Sequence, residues 1–142
     1  MKKTVYKATT GSYVRASYYV HVSERLNDMP TAQCGVVKST NGSQVLISYI
    51  TPCAIVTPDN YNGGGKWLAV RGLYSATTRR HLSIFAQQFG VSYSVVKKIA
   101  ATDYIYNITT GEYKNVGFDN IEKTIQRAVD RSPDYFVLRS TV

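Results

Sequence analysis

The decisive stretch of the chain is TTRRHLSIFAQQFGVSYSVVKKIA, residues 77–100. Thr77 or Thr78 is a suitable N-cap for a helix, and the apolar residues that follow are spaced to form one helical face. These residues are Leu82, Phe85, Ala86 and Phe89. Gly90 then stands where helices commonly end, because glycine adopts the left-handed conformation at little cost. The first half of the stretch therefore predicts an amphipathic helix closed by a glycine turn.

The residues after Gly90 allow two interpretations. A second helix can begin at Ser92 or Ser94 and expose Lys97 and Lys98. Its buried side would consist of Val95, Val96, Ile99 and Ala100. However, the tyrosine, valines and isoleucine of SYSVVKKIA have side chains that favour a strand. Helix and strand both remain open for residues 92–101, and the hypothesis about function depends on which one forms.

Two helices at this spacing are one requirement of the DNA-binding helix-turn-helix. That motif also needs a small residue in the first helix, glycine at the turn and apolar residues at fixed later positions. The residues that meet the pattern are Ala86, Gly90, Val91, Val96 and Ile99. With these residues, the segment FAQQFGVSYSVVKKIA resembles the corresponding segments of bacterial and phage repressors.

The resemblance to repressors implies a nucleic-acid-binding surface with two kinds of contact. Tyr93 and Ser94, beside Ser92, would contact base edges. The phosphates would be bound by Arg79, Arg80, Lys97 and Lys98. A predicted hairpin at residues 103–114, tipped by Thr109-Thr110-Gly111, would lie where the wing of a winged helix lies.

A longer region, residues about 44–90, resembles a small domain of uncharacterised phage and prophage proteins. The resemblance rests on ISYITPCA at 47–54 and YSATTRRH at 74–81. Cys53, Arg79 and a longer glycine loop depart from the pattern of that family. The resemblance implies a viral or prophage origin and an extended segment after the helix, but it implies no activity.

Composition indicates one globular domain spanning residues 1–142, since 44% of the residues are hydrophobic. Seventeen basic and nine acidic residues give a net charge of +8. Residues 1–71 carry eight basic and three acidic groups, and residues 72–142 carry nine and six, so the excess is spread over both halves. Such a charge favours binding to polyanions, nucleic acid first, although it also serves solubility alone.

The remaining segments predict mostly strands. A hairpin with its turn at Thr9-Thr10-Gly11 is expected at residues 4–22, and Asn41-Gly42 is a second hairpin turn. Residues 44–57 form the longest predicted strand, in which Pro52 marks an edge or a bulge. The GGGK run at 63–66 joins strands and is no phosphate loop, and Asp119 caps a last helix. The expected fold is α+β: a single domain with a twisted antiparallel sheet and two or three helices packed on one face.

Catalysis and metal binding find little support. His21 and His81 stand in no recognisable relation to a serine, cysteine or carboxylate, and His81 is expected to make a local hydrogen bond. Cys34 and Cys53 predict free buried thiols, because two cysteines do not complete a zinc site. We therefore expect no enzyme, no cofactor and no metal.

Two hypotheses follow. The first is a small phage-type accessory protein that binds nucleic acid through Arg79, Arg80, Lys97, Lys98 and the neighbouring tyrosines. The second is a protein-binding phage accessory, either a virion component or an inhibitor of a host enzyme. The chain has no secretory signal or apolar run of membrane length, so the expected location is the cytoplasm, that of the host cell if the protein is viral. Neither hypothesis sets the oligomeric state.

Overall fold

The computed structural model describes residues 11–15, 18–26, 33–59 and 63–139. Within these ranges the helices are α1 (Ala76–Gln87), α2 (Tyr93–Ile99) and α3 (Phe118–Asp130). The strands are β1 (Ser12–Arg15), β2 (Tyr18–His21), β3 (Glu24–Arg25), β4 (Cys34–Lys38), β5 (Gln44–Ser48), β6 (Thr51–Val56), β7 (Trp67–Val70), β8 (Tyr104–Asn107), β9 (Tyr113–Asn115) and β10 (Phe136–Arg139).

The strands form two antiparallel sheets. The large sheet follows chain order from β3 through β9, and the small sheet has the order β1-β2-β10. Neighbours β7 and β8 pair directly, although α1 and α2 lie between them in the chain. The glycine-rich residues before β7 join two paired strands, β6 and β7, as the sequence predicts. The helix pair is thus held at both ends by adjacent strands of one sheet.

Both faces of the large sheet are covered, and this explains the apolar run in β5. Leu46 packs on the face covered by α1 and α2, together with Leu82 and Ile99. Val45 and Ile47 pack on the opposite face with Ile121 of α3 and with residues of the small sheet. A strand buried on both faces has no polar side, so its sequence reads as continuous hydrophobic residues.

A bulge lies in β6 at the predicted position. Leu46 pairs with Ala54 while Ile47 pairs with Pro52, which leaves Cys53 as the extra residue. Cys53 and Ala54 therefore pack against the same helices, although they are consecutive in the chain. Proline is tolerated here because the ladder is already interrupted.

The α+β fold class predicted from the sequence is confirmed. Two of the helices, α1 and α2, share one face of the large sheet, and α3 lies on the other face. The predicted hairpin at 4–22 is partly wrong. β1 and β2 pair with each other, Arg15 opposite Tyr18, so the residues predicted to form one arm after a turn at Gly11 form two paired strands instead. The arm before Gly11 lies outside the described residues.

The start of α3 also differs from expectation. Gly117, with φ of 85°, is the N-cap, and Asp119 lies inside the first turn. The carboxylate that accepts a hydrogen bond at this end is Asp103 Oδ1, 2.9 Å from the Phe118 backbone nitrogen. The side chain that caps the helix thus belongs to a residue fifteen positions earlier than Phe118, and local sequence spacing does not reveal it.

Candidate nucleic-acid interface

A chain of hydrogen bonds that runs from the surface into the core fixes α1 to the sheet. Ser75 Oγ accepts from the Thr78 backbone nitrogen and donates to Thr78 Oγ1, both at 3.2 Å. Ser48 Oγ, at the end of β5, lies 3.0 Å from Thr78 Oγ1 and 2.9 Å from His81 Nδ1. If each hydroxyl donates to the next, every one of them has a donor and an acceptor, and Nδ1 is the unprotonated ring nitrogen. We call the exposed Ser75 together with the buried residues Thr78, Ser48 and His81 the buried hydroxyl chain, after its three inner members.

The buried hydroxyl chain corrects two expectations. The N-cap of α1 is Ser75 and not Thr77 or Thr78, because Ser75 has the extended backbone that a cap requires while Thr78 is directed into the core. The hydrogen bond of His81 is long-range and not local, since Ser48 is 33 positions away. The sequence signal was present, because both residues belong to the two motifs ISYITPCA and YSATTRRH.

Ser48 and His81 have the spacing of a nucleophile and its base, but their burial indicates a structural role. Ser48 is 2% exposed and His81 is 1% exposed, so substrate has no direct access to either group. Burial, and then the charge of Arg80, lower the pKa of His81. A neutral imidazole matches a ring nitrogen that accepts the hydrogen bond of Ser48. The pair joins β5 to α1.

Residues 92–101, which the sequence left open, begin as a helix. The backbone oxygen of Ala86 accepts from Phe89 and Val91 nitrogens, both at 3.0 Å, and Gly90 has φ of 73°. After this turn α2 runs from Tyr93 to Ile99. The apolar positions named for the motif are all buried: Ala86, Val91, Val96 and Ile99. The extended segment implied by the phage-domain resemblance is therefore wrong for these residues, because their apolar side chains pack against α1 and the sheet.

The predicted nucleic-acid-binding residues lie on α1 and α2, which share one face of the sheet. Five of the six are exposed: Arg79, Arg80, Ser94, Lys97 and Lys98. Tyr93 is half-buried and packs against the core, so it offers less surface than the sequence suggested. Lys98 is held in place by an aromatic ring, with its Nζ 4.4 Å from the centre of Tyr113.

Net positive charge is concentrated in this part of the chain because acidic residues are absent from it. No aspartate or glutamate occurs between Asp59 and Asp103, while the same interval contains six lysines and arginines. These six account for all but two of the net positive charges of the protein. The charges of residues 1–71 and 72–142 do not reveal this interval, because the boundary between the two halves falls inside it. An acid-free segment that carries two exposed helices favours an anionic partner.

A groove with a volume of about 540 Å³ lies between the C-terminus of α2 and the β8–β9 hairpin. Lys98 lines it from the helix, and Asp103, Tyr104 and Tyr113 line it from the connection and the hairpin. Tyr104 is 45% exposed and Tyr113 is 37% exposed. Neither tyrosine was singled out by the sequence. They come together with Lys98 only because β8 returns to the sheet directly beside the end of α2.

The described part of the chain holds no group of three or more His, Cys, Asp or Glu side chains placed to bind a metal ion. Within the same ranges, none of the helices combines the length and the apolar composition needed to cross a membrane. Cys34 and Cys53 are free and buried, as the sequence predicts.

Comparison with known proteins gave one match. The model of a family of unknown function, DUF8033, matches residues 20–101. The matched region runs from β2 to the end of α2 and contains the whole buried hydroxyl chain and all six predicted site residues. No curated protein and no solved structure matches the chain.

Proposed function

The chain belongs to the DUF8033 family of unknown function, and from that premise we propose that it is a small phage-type accessory protein that binds nucleic acid without catalysis. The phage assignment rests on the resemblance of residues 44–90 to phage and prophage domains, and it would locate the protein in the host cytoplasm. The binding surface consists of the exposed side chains of α1 and α2.

The observation that carries this proposal is the exposed side of α2. Ser94, Lys97 and Lys98 are exposed on a helix whose other side, with Val96 and Ile99, is buried in the core. Arg79 and Arg80 are exposed on the preceding helix. Four cations on two adjacent helices, without an acidic residue between them in the chain, suit a row of phosphates.

Each exposed side chain of the helix pair has a role in the proposed complex. Lysine and arginine side chains would bind phosphates and thereby orient the protein, while Ser94 and the exposed part of Tyr93 would contact base edges. The β8–β9 hairpin follows the helix pair and packs beside α2, which is the order of a helix pair and wing. Because most of the named groups contact phosphate, we expect binding with modest sequence preference.

Charge reversal tests the proposal. The variant Lys97→Glu/Lys98→Glu is compared with Lys123→Glu/Arg127→Glu on α3, which makes the same charge change on the opposite face of the sheet. Fluorescence anisotropy with labelled DNA and RNA is measured between about 50 and 200 mM salt. We expect the first variant to lose at least about tenfold in affinity and to flatten the salt dependence by about two units of slope. The control variant should stay close to the parent protein.

Two results would refute nucleic-acid binding through this surface. One is the absence of binding to both DNA and RNA at low salt. The other is an equal loss for the α2 and α3 variants, which would indicate attraction by net charge alone.

One observation favours the second hypothesis, a protein-binding accessory. On the small sheet, Phe136 and Leu138 are 46% and 45% exposed, and the ring of Phe136 stacks on His21 at 4.9 Å. The two side chains are two positions apart on one strand and so share a face, and an exposed apolar patch of this kind is typical of protein contacts. In that case a host or virion protein should co-purify with the chain, Phe136→Ala/Leu138→Ala should abolish the association, and reversal of Lys97 and Lys98 should matter little.

A further inference from the structure

The groove beside α2 has an aromatic wall built by strand register. Tyr106 pairs with Tyr113 across the hairpin, and Tyr104 pairs with Asn115. Because side chains alternate along a strand, Tyr104, Tyr106 and Tyr113 share one face of the hairpin. Tyr106 packs against the core on the α1–α2 side, so this face continues the covered face of the sheet beyond the end of α2. The helix pair leaves this corner open.

The three rings are not equivalent. The ring of Tyr113 contacts the ring of Tyr106, with centroids 5.1 Å apart, and the ammonium group of Lys98, 4.4 Å from its centroid. Tyr104 is the most exposed of them, at 45%, and lines the groove. The groove therefore combines a fixed aromatic side, an accessible tyrosine and a lysine at its rim.

We infer that this groove binds one unpaired nucleobase of a nucleic-acid strand, stacked on Tyr104, with the adjoining phosphate at Lys97 and Lys98. The inference rests on the proposed function and names its substrate class. A groove of about 540 Å³ lies within the range of about 300–1,000 Å³ that is usual for small-molecule sites, so it has room for a base and its sugar.

An unpaired base is favoured over a base pair because stacking on tyrosine needs a free face of the base. Inside a duplex each face is covered by its neighbours, whereas single strands and flipped bases present theirs. The base and the phosphate also have separate partners here. Lys98 lines the groove on the helix side, with the exposed Lys97 next to it in the chain, and Asp103 is the acidic residue of the lining.

Asp103 sets the orientation of the base. Its Oδ1 accepts a hydrogen bond from the Phe118 backbone nitrogen, which fixes the carboxylate at the start of α3, and the residue also lines the groove. A carboxylate repels phosphate and accepts hydrogen bonds from the ring or exocyclic N–H groups of a base. The base edge would therefore point toward Asp103 and the backbone toward α2.

The test compares single-stranded and duplex probes. An oligothymidylate of about twelve nucleotides and a duplex of the same length are titrated by anisotropy against the full chain. The variants are Tyr104→Ala, Tyr104→Phe as the conservative replacement, and Phe136→Ala as a control. Phe136 is an aromatic residue of equal exposure on the other sheet, so its removal measures the general effect of losing an exposed ring.

We expect Tyr104→Ala to weaken binding of the single strand by about 5- to 150-fold, the loss of one stacked base, and to change duplex binding less than twofold. Tyr104→Phe should retain affinity, because stacking needs the ring and not the hydroxyl. Single-strand binding that is unchanged in Tyr104→Ala, or lowered as much by Phe136→Ala, would overturn the inference. Duplex binding without single-strand binding would overturn it while the proposed function stands. Failure to bind either probe would overturn both.

Discussion

Removal of one hydroxyl group, in the variant Ser48→Ala, should destabilise the whole domain. Ser48 is at the end of β5, and its Oγ connects Thr78 Oγ1 to His81 Nδ1 inside the core. Alanine fits the site without a clash, because it only removes an atom. The side chains of α1 would remain in place, but the buried hydroxyl chain would be cut at its centre.

The size of the effect follows from the two partners that lose a hydrogen bond. A net hydrogen bond contributes about 1 kcal/mol, and a buried polar group without a partner costs about 1–3 kcal/mol. Thr78 keeps its contact with Ser75, whereas His81 Nδ1 loses its donor within a residue that is 1% exposed. We expect Ser48→Ala to lower the free energy of unfolding by about 2–4 kcal/mol, a large share of the roughly 5–15 kcal/mol of a typical domain.

Urea denaturation followed by circular dichroism measures this loss, which should lower the midpoint by about 1 M or more. Ser83→Ala on α1 is the matched control, because Ser83 Oγ bonds Gln87 at the exposed surface, and it should change stability by less than about 0.5 kcal/mol. In a double-mutant cycle of Ser48→Ala and Thr78→Val, the combined effect on the free energy of unfolding should differ from the sum of the single effects by at least about 0.5 kcal/mol. A loss below about 1 kcal/mol for Ser48→Ala, with additive effects in the cycle, would show that the hydroxyl chain does not stabilise the fold.

Three further predictions concern other buried residues. Burial and then the charge of Arg80 lower the pKa of His81 below 6.5, so as the pH falls the unfolded chain binds the proton before the folded chain does. The free energy of unfolding is therefore highest above about pH 6.5 and declines below it by up to about 1.4 kcal/mol per unit of pKa shift. In urea titrations at several pH values, His81→Asn should remove this part of the pH dependence. Gly35→Ala should lower the free energy of unfolding by about 1–3 kcal/mol in the same assay, because its Cβ would overlap the side chain of Val22 and lie 2.9 Å from the Glu24 backbone oxygen. An unchanged stability would show that β3 and β4 can move apart enough to accept the added methyl group. Burial raises the pKa of both cysteine thiols to about 12, so a thiol reagent at pH 8 should react slowly with the folded protein and rapidly in denaturant; rapid reaction with the folded protein would contradict their burial.

Local periodicity accounts for what the sequence predicted well. The stripe that begins at Leu82 and the turn at Gly90 depend on neighbours within one or two turns. The stripe is buried in α1, which ends at Gln87, and Gly90 has a positive φ in the turn that follows. The bulge at Pro52 is likewise a local property of proline in a ladder. The ambiguity at Val95 and Val96 was resolved by tertiary packing, since burial against α1 and the sheet outweighs their preference for a strand.

Features that join distant parts of the chain were not predictable in the same way. The bond between Ser48 and His81 spans 33 positions, and the groove brings Tyr104 and Tyr113 to Lys98 through the return of β8. One missed feature did have a local signal. The uninterrupted apolar residues of β5 indicate a strand covered on both faces, and hence a second layer opposite α1 and α2. The exposure of Arg79, Arg80, Lys97 and Lys98 was predicted correctly, but what they bind stays a prediction.

The pairing of β7 with β8 has a consequence for the order of folding. Strands β4 to β7 are joined by connections of five, two and ten residues, far shorter than the one between β7 and β8, and can pair in sequence at a smaller entropic cost. The pair of Trp67 with Asn107 must wait until the intervening chain has become compact, and that chain is the helix pair itself. We expect α1 and α2 to dock on the growing sheet before β8 and β9 are added. The basic helices would then be complete before the tyrosine groove, which forms where α2 meets the added hairpin.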